Sequence, residues 1–412
     1  MRREPRERAD AYFRSRRDPS AGMKPRLDDR AVAVPLAAVL AIGFLLVAAA
    51  TYQVSVVPAE TAASEYEHSV DVRESFVEAA DAVDRSATDG TVAPTSVPIG
   101  PRYPFRAYFV GPAPADGRLE TVGPGTIEIQ NASYRWSENP DFDGPVGLER
   151  EYETAGLRYE PDYAEYAIGA ETRLEHGVPM RRSPSGSGIA LADQSLIDGS
   201  SISLIALDGS ISRSGGGSAG STTLSNRPVS VDKGTSVTVE SDGSDPLTLV
   251  LPTRLDESAW NRSFRGELTE NGGNVANVAV VSGGAGGADR LRVELAPGTY
   301  DLSLARVAVG DGAAEPEPEY LYPVTQNQSV RAGSTVPVSV EVRDGYDNRV
   351  TGVDVTFSVE GENRTVTTDE SGAATYEYTP SDSGSETRLL TARAPTAAGV
   401  EAPVEITFTV VS

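Results

Sequence analysis

The chain is predicted to be mainly β, with an N-terminal transmembrane helix extended by an amphipathic helix, a β-rich outer region and a C-terminal β-sandwich. Three observations carry this. Residues 31–57, AVAVPLAAVLAIGFLLVAAATYQVSVV, contain no charged side chain. After Gly90, short Val, Ile, Tyr and Thr runs alternate with Gly, Pro, Asp and Ser, the texture of strands and turns. Over residues 323–412 the apolar residues recur at every second position, as in Val336, Val338, Val340 and Val342.

About 20 apolar residues at a rise of about 1.5 Å cover the hydrocarbon core of a bilayer, and the segment 31–57 exceeds that length. Orientation follows from its flanks. Arg2, Arg3, Arg6, Arg8, Arg14, Arg16, Arg17, Lys24, Arg26 and Arg30 precede the span, whereas the first charge after it is Glu60. The positive-inside rule therefore places residues 1–30 in the cytoplasm and the chain from about Pro58 onward outside, a single-pass arrangement in the cell membrane. A cleaved secretory signal is the rival, with Ala48, Ala49 and Ala50 as a small-residue site. Its apolar region is normally about 7–15 residues, and this one is roughly twice as long.

The basic tail, residues 1–30, lacks an apolar period and is expected to be disordered. Residues 58–90 carry Tyr66, Val70, Val77, Ala80 and Val83 at mostly helical offsets, an amphipathic helix whose apolar face is expected on the following domain. Pro58 is expected to kink its start. The region 91–311 reads as one large or two smaller β domains, with strands at 126–129, 201–207, 235–240, 247–251, 275–281 and 291–295. Glycine-rich stretches at 215–220 and 283–287 read as loop tips. Residues 312–322, including GAAEPEPE, read as an acidic, proline-stiffened linker. In residues 323–412, turns at Asp344-Gly345, 369–372 and 381–384 divide the alternating runs into a seven-strand sandwich.

Composition narrows the class of function. With no cysteine in 412 residues, stability rests on packing and hydrogen bonds, without disulfides or thiolate metal sites. The formal charge is -24, and since the tail is net basic the outer part is more acidic still. Such a surface repels nucleic acid, so no nucleic-acid partner is expected; the partners expected are membrane lipid and other surface-layer, pilin-like or adhesion proteins. Lys24 and Lys233 are the only lysines. That acidic, lysine-poor bias is typical of proteins from salt-loving archaea, although an acidic extracellular surface of other origin has the same composition.

Three resemblances extend this reading. Val340-Glu341-Val342-Arg343-Asp344 with Asn348, then Gly352-Val353-Asp354-Val355-Thr356-Phe357, then 368–374 (TDESGAA) resemble a bacterial immunoglobulin-like domain of the invasin and intimin type. The resemblance covers about a fifth of the chain and implies an Ig-like sandwich that spaces or presents an adhesive surface. Arg30-Ala31-Val32-Ala33 resembles the class III signal of archaeal pilins and archaellins, which implies cutting by a prepilin peptidase after Ala31. The core Val34-Pro35-Leu36-Ala37-Ala38 departs from the common Ser-Pro-Val-Ile-Gly, and the glutamate usual a few residues into the span is missing. Finally Tyr52-Gln53, Val57-Pro58-Ala59-Glu60, EYEHS at 65–69, Pro101-Arg102-Tyr103-Pro104, the stretch 193–214, Pro252-Thr253-Arg254-Leu255 with Trp260, and Gly298-Thr299-Tyr300 resemble a group of haloarchaeal surface proteins. That last group brings no known activity with it.

No catalytic constellation is expected. Gly216, Ser218 and Gly220 match G-x-S-x-G, but the only histidines, His68 and His176, lie upstream and no helix follows the serine. Asn139, Asp141, Asp143 and Gly144 begin like a calcium loop whose twelfth position is Arg150 rather than glutamate. Gly284 and Gly286 begin a dinucleotide fingerprint whose third position is Asp289. Neither histidine is placed to infer a shared metal site, and pairing any two of so many carboxylates would be arbitrary. No cofactor or metal is therefore expected. Sequons at Asn131, Asn261, Asn327 and Asn363 all lie beyond the span, where glycosylation can occur. The expected function is a cell-surface anchored structural or adhesive protein, the alternative a processed minor pilin or filament-associated subunit.

Overall fold

The computed structural model describes residues 29–412 except 114, 116, 136–150, 184–187, 216–219, 232–236, 242–244, 284–288, 313–314, 382–385, 397–402 and 412. Contacts divide the chain into two compact units, 1–56 and 57–412. In the first, helix α1 spans Asp29–Thr51, and a π-helical turn follows over Tyr52–Val56. Its described side chains from Val34 onward are almost all exposed, Phe44 and Leu45 among them, and the run is long and apolar enough to cross a membrane. The basic tail expected at 1–30 lies outside the described residues except for its last two positions.

The second unit begins with helix α2, Val57–Asp89. Pro58 sits in its first turn, where a missing N–H is tolerated; it cannot donate to Val54, and the π-helical turn occurs at that point. The buried stripe of α2 differs from the one expected. Tyr66 is exposed and Val70 and Val77 are half-buried, whereas Thr61, Glu65, His68, Val72, Phe76, Ala79, Val83 and Ser86 are buried at three- and four-residue steps. The stripe runs through polar residues because, as described below, partners meet them, and apolar periodicity alone does not register such positions.

Among the described residues, two sheets build the β-rich region. The first has seven strands, in the order Ala93–Pro98, Ser221–Ser230, Thr299–Val309, Val237–Ser241 and Ala132–Arg135, with Ser201–Asp208 parallel to Thr299–Val309 and Ile197–Asp198 beside it. The second has nine, running Val275–Val281, Asp289–Leu295, Thr248–Thr253, Arg118–Gln130, Glu151–Glu160, Glu171–Glu175, Val178–Arg182 and Gly188–Ala190, with Ser212–Ser214 against Arg118–Gln130. Strands lie at all six expected places; most boundaries shift by a residue or two, whereas the strand at 126–129 begins eight residues earlier, at Arg118, and 235–236 lie outside the described residues.

The central strands of the first sheet, Ser201–Asp208 and Thr299–Val309, are buried on both faces. Leu204, Leu302 and Leu304 join a core with Ile127, Leu249 and Val293 of the second sheet. Ile205, Leu207, Val307 and Val309 point the other way and form a core with Val72, Phe76, Ala79 and Val83 of α2. Arg118–Gln130 serves both cores through one irregularity. Its pairing with Glu151–Glu160 slips by one residue between Val122 and Gly125, so Leu119 faces the α2 core and Ile127 the inter-sheet core although both are odd-numbered. A one-residue bulge reverses every later side chain, and Gly123, at φ +140°, supplies the backbone for it.

The C-terminal part is a sandwich of eight strands among the described residues: seven within 323–412, and an eighth, Pro318–Pro323, from the segment read as a linker. Pro318–Pro323, Val336–Asp344 and Ala373–Tyr378 form one sheet; Gln328–Arg331, Val404–Val411, Glu386–Arg393, Asp354–Val359 and Glu362–Thr367 form the other. Val338, Val340, Phe357, Leu390, Ile406 and Phe408 fill the space between them. Of the segment read as a linker, residues 318–322 belong to the edge strand Pro318–Pro323, which pairs with Val336–Asp344. Its Tyr320 and Tyr322 pack on Val237 and Tyr134 of the β-rich region.

Candidate functional site

The polar half of the α2 stripe meets the loop between Glu151–Glu160 and Glu171–Glu175. Glu65 is fully buried, and its carboxylate accepts hydrogen bonds from the amides of Ala164 (2.9 Å), Glu165 (2.9 Å) and Tyr166 (2.7 Å) and from Tyr103 Oη (2.6 Å). Burial opposes its ionisation, but the Tyr103 hydroxyl and the three amides outweigh burial and hold the carboxyl below its ordinary value. His68 Nδ1 meets Tyr163 Oη at 2.8 Å, and burial pushes the imidazole down to about 4 against the pull of Asp71, the Pro98 carbonyl and Glu65. Burial and then Glu65 push the Tyr163 phenol up. An ionised carboxylate with both oxygens engaged and a neutral imidazole form a clamp and do not form an acid–base pair. Both belong to the EYEHS run that carried a resemblance in the sequence.

Two clefts flank the bulge. The larger, about 670 Å³, is lined by Tyr152, Tyr346, Arg306, Asp208, Glu153 and Glu319 among others. Tyr152 and Tyr346 contact at 4.9 Å between ring centroids, and Arg306 pairs with Asp208 through Nε at 3.0 Å. The smaller, about 330 Å³, contains Glu175, Arg173 and His176. Glu175 accepts from Arg173 (3.0 Å), Thr253 Oγ1 (3.2 Å) and the Arg254 amide (3.0 Å), and His176 Nε2 lies 2.6 Å from the Pro252 carbonyl. Burial lowers the pKa of His176. In the larger cleft Arg306 is paired with Asp208, and in the smaller Arg173 is paired with Glu175.

A third cluster lies where the sandwich meets the β-rich region. Asp344 Oδ1 accepts the amides of Tyr346 (2.9 Å) and Asn348 (3.0 Å), and Asn348 Nδ2 donates to Ser230 Oγ (2.8 Å) and the Leu304 carbonyl (2.7 Å). Tyr320 Oη donates to Asp347 at 2.7 Å, and Asp347 takes a left-handed backbone at φ 62°. Burial raises Asp344 to about 6, opposed by Ser230 and the two amides. Glu341 joins Arg343 (2.8 Å) and Arg349 (2.7 Å), and the Arg343 guanidinium stacks 4.1 Å over Tyr322. The sequence marked Asp344-Gly345 as a turn but gave no sign that Asn348 docks on Ser230. A large aromatic inside a run of turn formers, Asp-Gly-Tyr-Asp-Asn, was the available signal.

Arg30, Ala31 and Val32, the expected processing residues, fall in the first turn of α1. The four sequons separate into two kinds. Asn131 and Asn261 are half-buried and spend the amide nitrogen internally, on the Pro246 carbonyl (3.1 Å) and the Glu257 carbonyl (3.0 Å). Asn327 and Asn363 are exposed and use Oδ1 instead, accepting from the Thr407 amide (2.7 Å) and Ser358 Oγ (2.8 Å). The calcium-like loop at 139–150, Ser218 of the G-x-S-x-G match and Gly284 and Gly286 lie outside the described residues. Among the described residues no group of three or more His, Asp and Glu is placed to hold a metal.

No protein-family model matches the chain, and no curated protein matches it. Solved structures with partial likeness include domains 4 and 5 of the S-layer protein SbsC (19% identity, 30% of this chain and 65% of that one, TM-score 0.19). The D00-D0 domain of intimin is 12% identical over 42% of this chain and 89% of that one, with TM-score 0.22. A putative membrane anchored protein from Corynebacterium diphtheriae is 12% identical over 72% of this chain and 58% of that one, with TM-score 0.18. At these TM-scores the likenesses carry no argument, and the mainly β architecture is read from the strand pairing itself.

Proposed function

We propose that the chain is a single-span cell-surface protein of a haloarchaeon with a pilin-like N-terminus, whose outer β-rich part and Ig-like sandwich serve a structural or adhesive role. The observation that carries this reading is the packing of α2. The segment that follows the apolar helix in sequence is a core helix of the 57–412 unit, with Phe76 and Ala82 fully buried. A pull on Val57 is borne by that buried face, which suits a protein that holds or presents a surface under load. The acidic, cysteine-free composition suits a salty exterior. We assign it no catalytic activity. Carbonate extraction combined with protease treatment of intact cells tests the reading. The full-length chain stays with the washed membranes and its outer part is cut from outside; a chain released by carbonate, or protected in intact cells, sinks it.

The processed minor pilin or filament-associated subunit is the second reading. The exposed apolar surface of α1 suits packing against like helices as well as against lipid. It requires a mature N-terminus at Val32 and recovery in sheared filaments. A mature chain beginning at Met1 counts against it.

A further inference from the structure

The smaller cleft holds hydrogen-bonding groups that its ion pairs do not occupy. Arg158, Arg173 and Arg254 line it against one carboxylate, Glu175, among the described residues of a chain whose formal charge is -24. Arg173, whose side chain is 9% exposed, gives Nε to Glu171 and Nη1 to Glu175, which leaves Nη2 with no partner among the described residues. Glu175 is fully engaged in turn, one oxygen on Arg173 and the other on Thr253 and the Arg254 amide. Arg158 pairs with Glu120 through Nη2, and its buried Nε has no partner.

His176 brings an acceptor to the same cleft. With Gly177 it makes the two-residue turn between Glu171–Glu175 and Val178–Arg182, at φ 51° and 76°, a left-handed pair for which Asn-Gly is the usual sequence. A carbonyl only accepts, so the 2.6 Å contact with Pro252 fixes the ring proton on Nε2. Nδ1 of the neutral ring is then a lone-pair acceptor, and it is buried without a partner. Buried polar atoms are almost always hydrogen-bonded, so Nδ1 and the arginine nitrogens call for a ligand with both an acceptor and a donor. Guanidinium N–H groups match a carboxylate, and Nδ1 matches a hydroxyl. The volume of about 330 Å³ is at the lower end of the roughly 300–1,000 Å³ of small-molecule sites, which suits a molecule of one ring. We propose that this cleft binds a small hydroxy-carboxylate of the sugar-acid type, with its carboxylate on Arg173 and Arg158 and a hydroxyl donating to His176 Nδ1. The site lies wholly within the 57–412 unit and does not depend on the anchor.

The chain has only two histidines, so ring-labelled histidine gives two magnetic-resonance signals from the full-length protein in detergent. The signal that His176→Asn removes belongs to His176. Sodium glucuronate is expected to shift that signal saturably and to leave the His68 signal in place. Glucose, which lacks the carboxylate, is expected to bind about tenfold more weakly. Asn adopts the left-handed turn readily, so His176→Asn keeps the hairpin while removing the acceptor. Calorimetric titration of that variant is expected to show glucuronate bound about fivefold more weakly. No saturable shift of the His176 signal, the result for a cleft that holds water alone, overturns the proposal. Sodium sulfate bound as tightly as glucuronate, or a glucuronate affinity unchanged in His176→Asn, overturns it as well.

Discussion

Glu65 illustrates how one polar residue is made into a core residue. Three consecutive amides and a phenol converge on its carboxylate, and each hydrogen bond to a charged acceptor contributes about 1.5–3 kcal/mol. Glu65→Gln keeps the shape but turns an NH2 group towards donors. A loss of about 2 kcal/mol in urea unfolding of the full chain in detergent is expected, and an unchanged midpoint would refute the clamp. His68 adds a pH dependence. Its folded pKa of about 4 lies below the ordinary 6.5, so the unfolded chain binds the proton first as pH falls. Its contribution is complete above about pH 6.5 and is lost towards pH 4, at up to about 1.4 kcal/mol per pH unit. Asp344 acts in the opposite sense. Its folded value of about 6 exceeds the ordinary 3.8, so protonation between those values favours the folded chain. Replacing His68 with Gln should therefore make the fall in stability between pH 6.5 and 4 shallower than the parent's, the remainder coming from His176, whose pKa burial also lowers, against the opposing Asp344. A slope identical to the parent's would show that His68 is not the group responsible.

At the scale of elements, the strands were legible wherever alternation was clean, and the C-terminal sandwich was recognisable from its valines alone. What the pattern did not disclose has a common cause. The buried face of α2 passes through Thr61, Glu65, His68 and Ser86, which a hydropathy period scores as surface. Ser86 Oγ donates to the Asn226 carbonyl at 3.2 Å, a contact 140 residues away in sequence. The bulge at Gly123 was equally hidden, because it is visible only as a mismatch between two strands. Phe76→Ala removes a fully buried ring from the α2 core and is expected to cost about 3–5 kcal/mol, read as a lower urea midpoint and faster proteolysis of the 57–412 unit. A change below 1 kcal/mol would mean that α2 is not a core helix. The sequons make an element-level prediction as well. Asn327 precedes the edge strand Gln328–Arg331, and Asn363 lies on the opposite edge strand Glu362–Thr367 of the same sheet. In glycosylated material, peptide mass spectrometry is expected to find sugar at these two before Asn131 or Asn261. Occupancy confined to Asn131 and Asn261 would contradict the assignment. Sugars there would also shield both open edges from pairing with another chain.

For the molecule as a whole, the decisive fact is that 57–412 forms one compact unit. The sandwich is joined to the rest by Asn348, by Tyr320 and Tyr322 on Val237, and by the Tyr152–Tyr346 contact. None of this was legible in sequence, because GAAEPEPE has the composition of a spacer and only the following Pro318–Pro323 strand shows the two parts docked. Asn348→Ala leaves the Leu304 carbonyl and Ser230 without that donor, at a cost of about 1–3 kcal/mol. Calorimetry of the parent is expected to give one transition for the 57–412 unit, and of Asn348→Ala two overlapping ones. Two transitions already present in the parent would refute the coupling.

The parallel pair at the centre of the first sheet sets a condition on how the protein is made. Ser201 aligns with Asp301, so the ribosome must deliver a hundred further residues before the earlier strand finds its neighbour. Until Val309 has emerged, the core that Ile205 and Leu207 share with α2 lacks Ala305, Val307 and Val309. A nascent chain would therefore wait half-built until that strand is made. Slow closure of distant pairings makes that interval the period of greatest exposure to proteases and to other nascent copies.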